Sequence, residues 1–232
     1  MYRNVAVLMG MLLVMYSAVV RSQDVVFYDG FESGDTAGWW APARVGETGQ
    51  RTCYATNGTV IACSGTGQDG DLQTGVAWPN PRFVNKGDGT VTDMLTGLIW
   101  LRDASCANLA GTDVGGKGLW ATALTASATL ASGTCGLSDS SVAGDWRLPS
   151  VNELQSLVHY EYFNPSLSDA AGTAQWNEGN AFWGVQANAY WSSTSSPSVP
   201  TNALYVVFYA GHVVSLTKTG GNIFVWPVRG GQ

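Results

Sequence analysis

From Pro81 to the C-terminus, short runs of β-branched and aromatic residues alternate with turns marked by glycine and asparagine. Phe83-Val84, Thr90-Val91-Thr92 and Leu98-Ile99-Trp100-Leu101, with a turn from Asn85 to Gly89, predict a strand meander. The period then changes. In LWATALTASATLAS, residues Trp120, Ala123, Leu124, Ala128 and Ala131 share one face at helical spacing, which predicts an amphipathic helix. A second helix follows Trp146-Arg147-Leu148, which is held extended because Pro149 pushes its predecessor out of the α region. Ser150 and Glu153 form the S-x-x-E capping box that starts this helix, and Val151, Leu154, Leu157 and Val158 give it a buried face. Residues 161–189 are polar and small without a period, predicting a long, irregular packed loop anchored by Trp176, Phe182 and Trp183. AYWSSTS, ALYVVFYAGHVVSLTK and IFVWPVRGG return to strand character, with Ala210-Gly211 at a hairpin turn. Two helices between an opening meander and closing strands predict an α+β domain whose two ends pair in one sheet.

The N-terminal third reads differently. MYRN and a sixteen-residue apolar stretch ending at Val20-Arg21-Ser22 predict a signal peptide over 1–22. The alternative is a membrane anchor, which needs about 20 apolar residues; with the peptide removed, no membrane span is expected. Residues 23–50 read as a strand and linker containing Trp39 and Trp40, residues 51–78 as a cysteine-hairpin lead-in, and 79–232 as the main domain. Export places the four cysteines in an oxidising compartment, where an even count predicts two disulfides. The Asn57-Gly58 turn, with a three-residue loop over 57–59, sets Cys53 directly opposite Cys63 and leaves Cys106 to pair with Cys135. A zinc site is disfavoured, because there is no C-x-x-C and His159 and His212 lie far off in sequence. Asp69 and Asp71, in a Gly/Asp-rich loop, are of the type calcium takes, but their spacing fits no EF-hand and equally suits Asx turns. No cofactor is therefore expected, and calcium has no motif behind it.

Composition narrows the function. The 232-residue chain is 45% apolar and only 12% charged, which excludes a disordered chain. Lys and Arg number 11 against 17 Asp and Glu, with no basic run, so nucleic acid is not an expected partner. Removing Arg3 and Arg21 with the leader leaves nine basic against seventeen acidic residues, a net charge of about −8 that disfavours polyanions. No G-x-S-x-G elbow occurs, and neither histidine has a recognisable nucleophile beside it in sequence. Glu153 and Glu161 are eight apart and are better read as a helix cap and an exposed acid than as a catalytic pair. A non-enzymatic protein is the expectation.

The strings DGTVTDMLTGLIWLRD, GDWRLPSVNELQSLV, YWSSTS and VWPVRGGQ, in that order, resemble the Lcl C-terminal domain family over about residues 79–232. The resemblance implies a C-type-lectin-like fold: two helices with antiparallel strands and long loops, stapled by disulfides. It also implies a binding module rather than an enzyme; with the leader, the expectation is a secreted, periplasmic or cell-surface protein that binds a glycan or protein, the alternative being an envelope component that assembles with its own copies. The best-known relative is an adhesin for host glycosaminoglycans, a partner that a chain at about −8 without a basic cluster should repel. The sulfatase-modifying group of the same fold class works through C-terminal cysteines, and here no cysteine follows Cys135. The family framework maps onto Ala203, Tyr205, Val206, Phe208, Gly211, Val213 and Lys218. The positions between, among them Tyr209, His212, Ser215, Thr217, Asn222 and Phe224, are the candidate ligand contacts. In some relatives this region is diversified by a retroelement. Trp176 and Trp183 are candidates for stacking on a sugar ring.

Overall fold

The computed structural model describes residues 45–230. The leader over 1–22 and the segment carrying Trp39 and Trp40 lie outside the described residues. In chain order the elements are β1 (Cys53–Tyr54), β2 (Val60–Ile61), α1 (Asp69–Leu72), β3 (Phe83–Asn85), β4 (Thr90–Asp93), β5 (Ile99–Leu101), β6 (Lys117–Gly118), α2 (Trp120–Thr129) and α3 (Val151–Ser156). They continue with β7 (Ala189–Ser195), β8 (Asn202–Val207), β9 (His212–Thr217), β10 (Ile223–Phe224) and β11 (Val228–Arg229). The fold is α+β, with strands dominating and two disulfides, Cys53–Cys63 and Cys106–Cys135.

Two sheets carry the domain. The first runs β11-β5-β4-β3, so the C-terminal Val228 pairs with Trp100 of the opening meander, as the ends of the sequence predict. The second runs β6-β10-β7-β8-β9. Its β10 lies parallel to β7, an exception to the expected all-antiparallel pairing that arises because β10 arrives after β9 has closed its hairpin on the far side of β8. Between β10 and β11 the chain crosses from one sheet to the other through Val225-Trp226-Pro227. Trp226 fills that crossing: its ring lies 5.5 Å from Trp100 in the first sheet and 5.3 Å from Tyr190 in the second. Phe182, from the long loop, closes a third side at 5.0 Å, and the Trp226 Nε1 donates to the Leu101 carbonyl at 2.8 Å. Aromatic rings that bury this much area, with the indole N–H satisfied, anchor a core strongly.

The helices follow their local signals unevenly. At α3 the capping box is complete: Ser150 Oγ accepts from the Glu153 amide and Glu153 accepts from the Ser150 amide, with Leu154, Leu157 and Val158 buried. At α2 the buried face is rotated from the expected one. Ala123, Ala126 and Ser127 are buried while Ala128 is exposed, and Ala131 lies beyond the last helical residue. An alanine-rich helix has little contrast between faces, so its rotation follows its anchor, the Trp120 indole donating to the Ser192 carbonyl at 2.8 Å.

The lead-in corrects two expectations. Cys53 stands opposite Ile61, not Cys63, because the Ala55 amide donates to the Thr59 carbonyl at 2.8 Å and closes the turn over 56–58, one residue earlier than expected. Cys63 is reached on the diagonal beyond the end of the ladder, with Cα atoms 5.2 Å apart, which is ordinary bridging distance. Asp69 and Asp71 sit in the one-turn helix α1, not a loop. Asp69 accepts from the Thr48 hydroxyl and Asp71 from the Gly67 amide, so both carboxylates serve local bonds.

Candidate functional site

The β8–β9 hairpin is the part of the second sheet that the core leaves outermost. Its turn over 208–211 depends on Gly211, which has φ +76° and donates to the Val207 carbonyl at 2.8 Å. A side chain there would also strike Val158, so the hairpin tip is pressed against the chain leaving α3. Phe208 points into the core against Tyr190, 5.3 Å away. The next residue, Tyr209, points out and is 49% exposed.

The segment after α3 runs beside this tip and braces it. The Asn164 amide donates to the Tyr209 carbonyl at 2.8 Å, and the Ser166 amide to the Phe208 carbonyl at 2.6 Å. Gln175 ties the segment down from the other side, donating to the Phe163 and Pro165 carbonyls. These bonds hold Phe163, 65% exposed, edge-on to Tyr209 with ring centroids 6.1 Å apart. Tyr160, 45% exposed, lies beside Gly211 together with Val158. Three large aromatic side chains from two segments thus face solvent around one backbone-braced turn.

The sequence candidates separate on this frame. Tyr209, His212, Ser215 and Thr217 are all exposed on the hairpin. Asn222 is exposed in the following turn, where its amide donates to Asp113 at 2.6 Å. Phe224 is a correction: it is buried, against Tyr190 at 5.4 Å, because β10 is an interior strand between β6 and β7. Trp176 and Trp183 do not form one platform. Trp176 is half-buried against the core, whereas Trp183, expected as an anchor, is 47% exposed with the Arg102 guanidinium 3.7 Å over its ring. Beside Trp183, burial pushes the Asp103 carboxyl up, opposed by a bond from the Ser105 amide and reinforced by the charge of Glu178. Glu178 itself accepts from the Gly184 amide at 3.0 Å, so these acids shape the loop. Tyr160 and Phe163 were missed by sequence reasoning. The string YEYF, the densest aromatic run in an otherwise polar segment, was the available signal.

A groove of about 1020 Å³ borders the tip, running from Tyr160 and Val158 past Gln155 to Trp78, Val76 and Val45. Glu47 is its one carboxylate and is paired with Arg51 at 2.9 Å. His159 lies behind the groove wall, enclosed between Trp78 at 4.3 Å and Tyr162 at 4.5 Å. Burial pushes it from 6.5 down to about 4, the charge of Glu161 opposing and that of Arg82 adding. Among the described residues no three of His, Cys, Asp and Glu converge to hold a metal ion, and no helix is long and apolar enough to cross a membrane.

The family model described as the Lcl C-terminal domain matches residues 89–229, a span that contains α2, α3, the whole hairpin and the braced tip. No curated protein matches the chain.

Proposed function

Because the chain belongs to the Lcl C-terminal domain family, we propose that it is an exported, non-enzymatic binding module of C-type-lectin-like form, engaging a glycan or protein at the tip of the β8–β9 hairpin. The observation that carries this reading is the exposed trio Tyr160, Phe163 and Tyr209 on a rigid turn. A contiguous aromatic patch on a soluble surface marks an interaction site. Tyrosine and phenylalanine suit one, since they present large area at little cost in side-chain entropy. The two disulfides fit folding in an oxidising compartment. The absence of enzymatic work is supported by cysteines held in disulfides and by a histidine, His159, packed between two rings rather than facing a cleft. A net charge of about −8 in the exported chain directs the search to neutral glycans and proteins, not sulfated polymers.

The test is a glycan array together with pull-down from envelope and host fractions, comparing the natural protein with Phe163→Ala/Tyr209→Ala. Loss of central aromatic anchors costs about 2 kcal/mol or more each, so affinity should fall at least ~30-fold. Trp183→Ala, on the separate loop, should leave binding within a few-fold. Undiminished binding by the folded double variant, or abolition by Trp183→Ala alone, would remove the hairpin tip as the site.

A further inference from the structure

The edge of the second sheet is open. β9 pairs with β8 and, among the described residues, with no other strand. The phase of its hydrogen bonds follows from one contact beyond the ladder: the Lys218 amide donates to the Thr201 carbonyl at 2.9 Å. Hydrogen-bonded pairs alternate along an antiparallel ladder. Leu216, Val214 and His212 therefore turn their amides and carbonyls toward β8, and Val213, Ser215 and Thr217 turn theirs outward. Of those outward groups, the Thr217 carbonyl accepts from Gly220. The rest have no backbone partner among the described residues.

This edge lacks the devices that normally protect one. It has no proline, no register shift against β8 and no charge: residues 202–217 contain no Asp, Glu, Lys or Arg. The nearest cation, Lys218, is turned back onto the Trp120 ring at 4.4 Å and the Pro200 carbonyl at 2.9 Å. In a chain whose excess charge is negative, an uncharged edge is the surface on which a second copy can approach without like-charge repulsion.

We propose that β9 pairs antiparallel with β9 of a second copy about a twofold axis at Ser215. The hydrogen-bond phase limits the register, and of the registers it allows the one centred on Ser215 engages all three outward residues of both strands. Outward residues must meet outward residues, so Ser215 faces Ser215 of the other copy and Val213 faces Thr217. Val214 then falls opposite Leu216 twice, in the closer non-bonded positions where side chains pack best. Such an interface is isologous and closed, giving a dimer rather than a fibre. The two hairpin tips point to opposite ends of the paired strands. The inference adds to the ligand site a way of presenting two of them and does not require that the ligand be known.

Sedimentation equilibrium of the purified protein should show a concentration-dependent doubling of mass. Ser215→Lys and Ser215→Glu place like charges across the axis, so each alone should be monomeric, and an equimolar mixture should recover the dimer. Ser215→Pro removes an amide that β8 does not use and should abolish the dimer while the unfolding midpoint stays within a few degrees. Phe163→Ala/Tyr209→Ala should dimerise normally, which separates this proposal from the ligand site. A natural protein that stays monomeric at its solubility limit, or a Ser215→Lys protein that still doubles in mass, overturns the pairing.

Discussion

Arg82 and Asp93 are both fully buried and meet through two bonds, Nε to Oδ1 at 2.7 Å and Nη2 to Oδ2 at 3.0 Å. Asp93 also accepts from the Leu95 amide and the Thr96 hydroxyl, and Arg82 donates to the Ser156 carbonyl while lying 4.0 Å over the Trp78 ring. The pair therefore ties the β4–β5 turn to the end of α3. Asp93→Ala should destabilise the protein by about 3–5 kcal/mol, since it leaves a buried guanidinium uncompensated; urea unfolding measures this directly. Nothing local in PRFVN or TDMLTG marks these two as interior, because a charged residue at a strand end is ordinarily solvated. Phe224 failed in the reverse sense. Its place among the positions between framework residues makes it a candidate ligand contact, yet it is buried because β10 has a neighbour on each side. Single residues near strand ends were the least legible part of the chain.

Elements were legible where their signal is local. The α3 start is spelled out by Pro149, Ser150 and Glu153, and its carboxylate does double duty, capping Ser150 and pairing with Arg147 at 2.6 Å. Burial works against the charge of Glu153, but the bonds from Arg147 and the Ser150 amide outweigh it and hold the carboxyl below its ordinary range. Ser150→Ala should therefore cost about 1 kcal/mol, the usual worth of an N-cap. Glu153→Ala should cost more than Ser150→Ala in the same unfolding experiment, because Arg147 loses its partner too. The meander over β3, β4 and β5 and the hairpin of β8 and β9 lie where alternation and turn residues place them. The face of α2 and the register of β1 with β2 were not legible. Alanines on all sides give no direction, and a three-residue turn expected over 57–59 lies one residue earlier, over 56–58, moving Cys53 opposite Ile61.

At the scale of the molecule, the lead-in and the main domain meet around His159. Gly49, at φ +83°, lies so close that a side chain there would overlap the imidazole. Trp78 packs edge-on to the same ring, and Glu161 accepts from the Arg51 and Thr52 amides. The folded protein favours neutral His159, with its value near 4 against 6.5 when exposed. The unfolded chain thus binds more protons between those values, so His159 costs no stability above pH 6.5 and stability falls as pH drops from 6.5 toward 4. Midpoints of thermal unfolding should decline over that window, and His159→Phe, if the ring still fits between Trp78 and Tyr162, should flatten the decline. A slope unchanged by the substitution would assign the acid sensitivity to carboxylates instead. The sequence by itself determined the opening meander, the two main helices, the α3 cap, both disulfide partners and the closing hairpin, since each rests on neighbours in the chain or on counting. Only the tertiary structure decided which aromatic residues converge at the hairpin tip, that Trp226 joins the two sheets, and that β9 has, among the described residues, one strand neighbour. Those outcomes depend on contacts between segments far apart along the chain, and local pattern carries no record of which distant surface a side chain will meet.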